Sequence, residues 1–247
     1  MPPRLFVEAA LAADRVFELS AAAARHVQVL RLQPGDAVTV FDGSGGQWRA
    51  RIEAMTRRGV QARSLEHEAV ERELPLAVTL ALSMPAGERM DGVVEKATEL
   101  GAAAIQPLLS QRSVLRLSGE RADKRRAHWQ AIARAACEQC GRNRVPPVHA
   151  PTDLAAWLLS LGSVPPGQLR WQLGWHDALA WHEAAPQSAA AASLIVLSGP
   201  EGGLSDDEQS MAARCGFVMV GLGPRVLRAD TAPLAVMASL SLQHGER

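Results

Sequence analysis

Two glycine turns carry most of the chemistry this chain can do. Gly199-Pro200-Glu201-Gly202-Gly203 follows the apolar run Leu194 to Ser198, and Gly221-Leu222-Gly223-Pro224 follows Phe217 to Val220. Glycine lets a backbone lie against a flat ligand with no Cβ in the way. If both runs are parallel strands, both turns stand at carboxyl ends, where ligands of open α/β sheets bind. Two such turns at successive strand ends can grip an adenosine between them, so a side chain added at Gly202 is expected to obstruct the ligand. Neither turn is a phosphate loop, because Walker A needs Lys-Ser or Lys-Thr after its last glycine. Gly221-Leu222-Gly223-Pro224-Arg225-Val226 begins like a dinucleotide fingerprint, but Val226 replaces the last glycine and Pro224 removes an N–H that a pyrophosphate requires. A nicotinamide oxidoreductase is therefore disfavoured. Taken alone, the two turns are also compatible with tight structural connections.

Other reactive residue types have simpler readings. Ser205-Asp206-Asp207-Glu208 is a capping box, and its carboxylates suit a helix N-terminus. Cys137 and Cys140 have CxxC spacing without a second pair or a His pair, so no zinc set is complete and no metal is expected. Three cysteines in all make no disulfide framework and point to a reducing compartment. Net charge is zero, yet Arg112 to Arg144 holds nine basic residues against three acidic ones. Ala150 to Cys215 holds seven acidic residues and only Arg170 and Arg214. A local basic segment is what phosphates respond to, although a solvated helix face has the same composition.

The elements that must position these residues fall into two groups. The first 70 or so residues read as short strands: Leu5 to Val7, Ala37 to Phe41, Trp48 to Glu53 and Val60 to Leu65, with a hairpin turn at Asp42-Gly43-Ser44-Gly45-Gly46. Trp48, Ala50 and Ile52 alternate with Arg49, Arg51 and Glu53, a half-buried strand with a basic outer row. A helix over Ser20 to Leu32 completes a small β-barrel. The charged stretch Glu66 to Glu73, ending at Pro75, marks a boundary and divides the chain into domains 1–72 and 73–247.

Beyond it strands and helices alternate: strand Leu76 to Ser83, helix Asp91 to Gly101 with Asp91 as N-cap, strand Ala104 to Leu109, helix Asp123 to Cys140, then strands Leu194 to Leu197 and Phe217 to Gly221 and helix Ala232 to Gln243. This predicts an α/β domain with a largely parallel sheet. The alanines from Ala184 to Ala192 suggest a flexible connection. No apolar run reaches the roughly 20 residues of a membrane span, and Glu8 inside the first apolar stretch reads poorly as a signal peptide. The expected location is the cytoplasm.

Leu197 to Glu208 (LSGPEGGLSDDE) and Val220 to Ala232 (VGLGPRVLRADTA) resemble the 16S rRNA uracil-N3 methyltransferases, the RsmE type within the SPOUT class. Arg4 to Val7, Asp91 to Gly101, Gln111 to Val114 and Glu138 to Pro146 extend the resemblance, in order, over nearly the whole chain. One departure stands out: Leu227-Arg228-Ala229-Asp230-Thr231-Ala232 occupies the place of the family's LRTETA, which shortens a carboxylate.

The resemblance implies a PUA-like β-barrel followed by a SPOUT domain with a C-terminal trefoil knot, working as a homodimer on 16S rRNA of the small ribosomal subunit. It implies S-adenosylmethionine bound by Leu197, Ser198, Gly199, Pro200, Glu201, Gly202, Gly203, Leu222, Gly223, Leu227, Arg228 and Ala232, with Leu197, Leu222 and Leu227 on the adenine faces. Methyl transfer is an in-line displacement in which positioning and charge do most of the work. Uracil N3 must lose a proton, so an arginine that stabilises the anion and a carboxylate or water that accepts the proton are needed. Arg228, Arg142, Arg144 and Asp230 are the candidates, and Glu201 is a second carboxylate that can instead fix the loop. N3 lies on the pairing edge, so the base must be unpaired or extruded. Arg4, Arg49, Arg51, Arg112, Arg142 and Arg144 are expected to touch RNA, with Arg57 and Arg58 helping to dock its backbone. The rival to an enzyme is a ribosome-assembly factor with the same basic face and no turnover.

Overall fold

The computed structural model describes residues 2–57, 59–85, 87, 89–114 and 116–245; Arg58, one of the expected RNA contacts, lies outside the described residues. The chain forms two compact units, Met1–Glu73 with Arg134–Val145, and Leu74–Ala133 with Pro146–Arg247.

In the first unit, strands β1 (Arg4–Phe6), β2 (Val16–Glu18), β3 (Ala37–Phe41), β4 (Gln47–Met55) and β5 (Val60–Glu68) form one sheet in the order β1-β3-β4-β5-β2. β1 runs parallel to β3 and the other pairs are antiparallel. The ladder order is linear, and its strands share one core with helix α1 (Ala21–Val29): Leu5, Phe17, Val27, Val40 and Ile52 are all buried in it. The β3–β4 turn is held by Asp42, whose Oδ1 accepts from the Ser44 N–H at 2.9 Å and its hydroxyl at 2.6 Å. β2 escapes the sequence pattern because it is three residues long and only Phe17 is buried.

Segment 134–145 completes this unit. Phe6 N–H donates to Glu138 Oε1 at 2.8 Å. Arg4 donates to Gln47 Oε1 (2.6 Å), Asn143 Oδ1 (2.7 Å) and the Arg142 carbonyl (3.0 Å), with its guanidinium 4.8 Å from the Phe41 ring centre.

The second unit is built on a seven-stranded sheet: β6 (Ala77–Ser83), β7 (Ala104–Leu109), β8 (Thr152–Asp153), β9 (Gln168–Leu173), β10 (Leu179–Ala180), β11 (Ser193–Ser198) and β12 (Val218–Gly221). Its order is β10-β12-β9-β11-β6-β7-β8 and every pair is parallel. Sheets of this kind are covered on both faces and read as continuous apolar runs. Accordingly Leu194, Ile195, Val196 and Leu197 of the central β11 are all buried. Helices α2 (Arg89–Glu99), the first part of α3 (Gly119–Cys140), α4 (Leu154–Ser160), α5 (Trp181–Ala184), α6 (Asp206–Arg214) and α7 (Thr231–His244) supply the connections.

Three sequence expectations change here. Asp91 lies inside the first turn of α2 rather than capping it; its carboxylate instead takes His128 Nε2 (2.7 Å) and the Trp129 indole N–H (3.0 Å) of α3. Ala184 to Ala192 is not a flexible connection, because it forms the end of α5 and a 3-10 turn (Ala185–Ala190). Ala184, Ala185 and Ser188 are buried there, and the Ser188 hydroxyl lies 2.9 Å from His244 Nε2. The basic outer row of β4 is also neutralised: Arg49 pairs with Glu68 (2.6 Å) and Glu66 (3.3 Å), while Glu53 sits between Arg51 (3.7 Å) and Arg63 (3.1 Å).

Arg170 is a buried cation placed by β9. It donates to the carbonyls of Gly162 (3.0 Å), Leu161 (3.2 Å), Ser163 (3.3 Å) and Cys215 (2.7 Å), and to Gln168 Oε1 at 2.9 Å. Leu161 and Cys215 are the C-caps of α4 and α6. One guanidinium thereby meets the negative ends of two helix dipoles and satisfies carbonyls that would otherwise be orphaned.

Candidate active site

β9, β11 and β12 are neighbours with carboxyl ends on one edge of the sheet, and the chain turns away from each in a glycine-containing loop. A cavity of about 330 Å³ lies there, within the range of small-molecule sites. β11 and the loop beyond it contribute Ser198, Gly199, Pro200, Glu201, Gly203 and Leu204; β12 and the loop beyond it contribute Met219, Leu222, Gly223 and Arg225 to Ala229, and the first turn of α7 contributes Ala232. These include ten of the twelve expected cofactor residues.

The third wall is one the sequence reading missed. Gln172, Leu173, Gly174, Trp175 and His176 come from the end of β9 and its turn, and Gln209 comes from α6. The missed signal was legible: Leu169, Trp171 and Leu173 alternate with Gln168, Arg170 and Gln172, then run into a glycine.

The loop after β11 is tied down at several points. Gly203 N–H donates to the Pro200 carbonyl at 2.8 Å, closing a turn, and Gly203 has φ +69°. Arg112 Nη1 donates to the Gly202 carbonyl (2.8 Å) and Arg89 pairs with Glu201 (2.6 Å). Glu208 completes the expected capping box, with Oε2 accepting from Ser205 N–H (2.8 Å) and Oε1 accepting from Gln111 N–H (2.7 Å). After β12, the Arg228 carbonyl accepts from the N–H groups of Thr231 (2.9 Å) and Ala232 (3.0 Å), which starts α7.

The cavity suits a flat heterocycle with a polar edge. Leu173, Leu204, Met219, Leu222 and Leu227 offer apolar faces, and backbone of the two glycine loops offers hydrogen-bonding edges. Gly203 and Gly223 (φ +96°) line it, and a Cβ on either would project into open space rather than onto protein. Side chains at these two positions would occupy room that the backbone leaves free.

Two expected contacts are placed elsewhere. Leu197 is fully buried in the core below the loop. Gly202 is not among the residues that line the cavity, and a Cβ there meets the Arg112 side chain at 3.5 Å. Asp230 stands at the N-cap position of α7 without capping it, and its Oδ1 is buried with no hydrogen-bond partner.

The remaining candidates belong to the first unit. Arg142 is buried, with Nε donating to Glu73 Oε1 at 3.1 Å and Nη2 to the same carboxylate. Arg144 has a half-exposed side chain paired with Glu71 at 3.1 Å. Cys137 donates to the Arg144 carbonyl, and burial pushes its thiol up to about 12. Among the described residues, no cluster of His, Cys, Asp or Glu has the makings of a metal site.

Comparison with known proteins agrees with this geometry. The RNA methyltransferase domain family matches residues 72–241, and the RNA methyltransferase PUA domain family matches residues 19–63. Ribosomal RNA small subunit methyltransferase E of Synechocystis sp. is 36% identical over 242 residues, covering 98% of this chain and 78% of the relative. The crystal structure of ribosomal RNA small subunit methyltransferase E from Neisseria gonorrhoeae bound to S-adenosyl methionine is 36% identical, with a TM-score of 0.89 over 98% of each chain. A putative methyltransferase from Legionella pneumophila, in complex with the bound cofactor SAM, is 32% identical with a TM-score of 0.90 over 98% of each chain. With a PUA-type sheet, a parallel sheet ending in glycine loops, and similarity along almost its whole length, this chain belongs to the RNA methyltransferase family.

Proposed function

We propose that the protein transfers the methyl group of S-adenosylmethionine to N3 of a uridine in 16S rRNA of the small ribosomal subunit. The observation that carries this reading is the glycine-edged cavity at the ends of β9, β11 and β12, in a chain so similar to proteins bound to that cofactor. The adenine faces would rest on Leu222, Leu227 and Leu204, and its edge on backbone groups of the two loops. When bound, the cofactor supplies an electrophilic sulfonium methyl for in-line displacement.

The chain's own residues have the harder task of making N3 a nucleophile. Arg228 lines the cavity, and its guanidinium has no partner among the described residues. Placed beside the uracil, it stabilises the anion left when N3 loses its proton. Asp230, with an unpartnered buried oxygen two residues on, is the acceptor for that proton. The N3–CH3 bond then forms as the S–CH3 bond breaks. Arg142, clasped by Glu73 and buried, is assigned a structural role instead of contact with the base.

In this reading residues 1–72, completed by 134–145, form the PUA-like domain, and the rest of 73–247 forms the methyl-transfer domain. The position of β12 between β9 and β10, and the shared cavity of the loops after β11 and β12, support a C-terminal trefoil knot. Exposed Trp175 and Val226 at the cavity edge supply apolar surface for a second copy in a homodimer. No described helix is long and apolar enough to cross a membrane, in keeping with work on cytoplasmic ribosomes.

Mapping N3-methyluridine on 16S rRNA from cells with and without the protein tests the reaction; an unchanged map sinks it. In the purified protein, Arg228→Ala should lower kcat by about 100-fold or more, as loss of one charge-stabilising donor does. A change confined to KM would remove Arg228 from the chemistry.

A further inference from the structure

We infer that the RNA phosphate backbone is held by the basic surface of residues 112–126 in the second unit, and not by the arginine row of β4. This rests on the proposed RNA substrate and names the surface that meets it. Residues 112–126 contain six basic side chains, Arg112, Arg116, Arg121, Lys124, Arg125 and Arg126, against Glu120 and Asp123. Arg121, Lys124 and Arg125 fall at i, i+3 and i+4 on α3, which puts them on one face of the helix.

What separates this surface from the β4 row is how its charge is compensated. Each arginine of that row faces a carboxylate: Arg49 has Glu66 and Glu68, and Arg51 and Arg63 share Glu53. A phosphate arriving there must displace a glutamate or meet its repulsion. In 112–126 the one ion pair among the described residues is Lys124 with Glu120 at 3.5 Å, both highly exposed. Such a pair is worth little in water. Arg121 and Arg125 pair with nothing among the described residues, and Arg116 donates only to the Gln111 carbonyl. Among the described residues, the arginines of the first unit without an ion pair, Arg4, Arg15, Arg25, Arg31, Arg57 and Arg72, are scattered along the chain, and Arg4 is buried. Local density of uncompensated charge, not total charge, decides where a polyanion docks.

The surface also begins beside the loop that follows β11. Arg112 donates to the Gly202 carbonyl and Gln111 N–H to Glu208, so 111–112 is fastened to the loop that lines the cavity. A strand lying along 116–125 thus has one end beside the place where a base must enter.

The test is the salt dependence of binding to a 16S rRNA transcript by the full-length protein. Each lost phosphate contact lowers the slope of log K against log salt by about 0.7 to 0.9. Arg116→Gln, Arg121→Gln, Lys124→Gln and Arg125→Gln combined should lower it by about 3, while Arg49→Gln with Arg51→Gln should lower it by less than about 1. Arg112 is left intact because it holds the loop, and unchanged S-adenosylmethionine affinity shows that each variant is folded. An unchanged slope in the fourfold variant, or an equal loss in the β4 variant, overturns the inference. So does an unchanged slope with loss of polyglutamate binding, which would make the partner an acidic protein. The proposed function fails by a different result, a wild-type protein that binds the transcript but never methylates it.

Discussion

Gly199 is the position at which the smallest change should do the most to the site. A Cβ built there lies 2.9 Å from the Leu204 nitrogen, 3.1 Å from the Gly203 carbonyl carbon and 3.2 Å from its Cα. All three are backbone atoms of the loop itself. Ordinary contacts begin near 3.4 Å, so the methyl is about 0.5 Å too close and no side chain can swing aside to admit it. Overpacking of this kind costs about 1–3 kcal/mol. The loop can escape the cost by moving off its cavity-lining conformation, so the cost should appear mainly in cofactor affinity, as a loss of about 5- to 150-fold. Gly202→Ala is the control three residues along, since its Cβ meets Arg112 at an ordinary 3.5 Å; its affinity should stay within about twofold of wild type. Calorimetric titration with S-adenosylmethionine measures both, and thermal melts show whether the fold survives. Wild-type affinity in Gly199→Ala, or equal losses in the two variants, would refute the steric argument.

Two further changes probe the first unit. Arg142→Ala leaves Glu73 without its buried partner and should cost about 3 kcal/mol in urea unfolding; a variant of normal stability that has lost only kcat would return Arg142 to the chemistry. Burial holds the Glu138 carboxyl above the usual carboxylate range, against the lowering effects of the Phe6 N–H and His26. A raised acid binds more protons folded than unfolded, so its contribution to stability falls as pH rises through the folded value. Glu138→Gln keeps an acceptor for Phe6 and should melt no lower than wild type at pH 8, with the two converging near pH 4, where wild-type Glu138 is itself protonated. A clear loss at pH 8 would show that the charge itself is needed.

The sequence made the site's two glycine loops legible because each succeeds a long apolar strand and contains residues with little other use. β11 and β12 therefore appeared with nearly their true limits, and so did the capping box of α6. The third wall was missed because its signal is an alternation and not an apolar run. β9 carries Arg170 and two glutamines, and an apolar count passes over it, although the arginine is buried and saturated by carbonyls. The arginines misled in the opposite sense. Residue type marks Arg4, Arg142 and Arg49 as cations free for RNA, but freedom depends on what the fold places opposite them. Glu73, Asn143 and Glu68 come from elsewhere in the chain and no local pattern announces them. Gly202 and Gly203 look alike in sequence, and only the folded loop shows that Gly203 lines the cavity while Gly202 lies against Arg112.

That the first unit needs residues 134–145 bears on how the chain is made. During synthesis, β1 to β5 leave the ribosome long before Glu138 and Asn143 exist. Until then the Phe6 N–H lacks its carboxylate, and Arg4 is short of two of its three acceptors at a site that becomes buried. Domain-by-domain folding from the N-terminus is the common order, yet here the leading unit must wait for roughly half the chain to be translated. A fragment ending near residue 72 should for the same reason be incomplete, and supplying 134–145 in trans should rescue it. The segment works as a late-arriving latch, and the timing of its emergence becomes part of the folding programme.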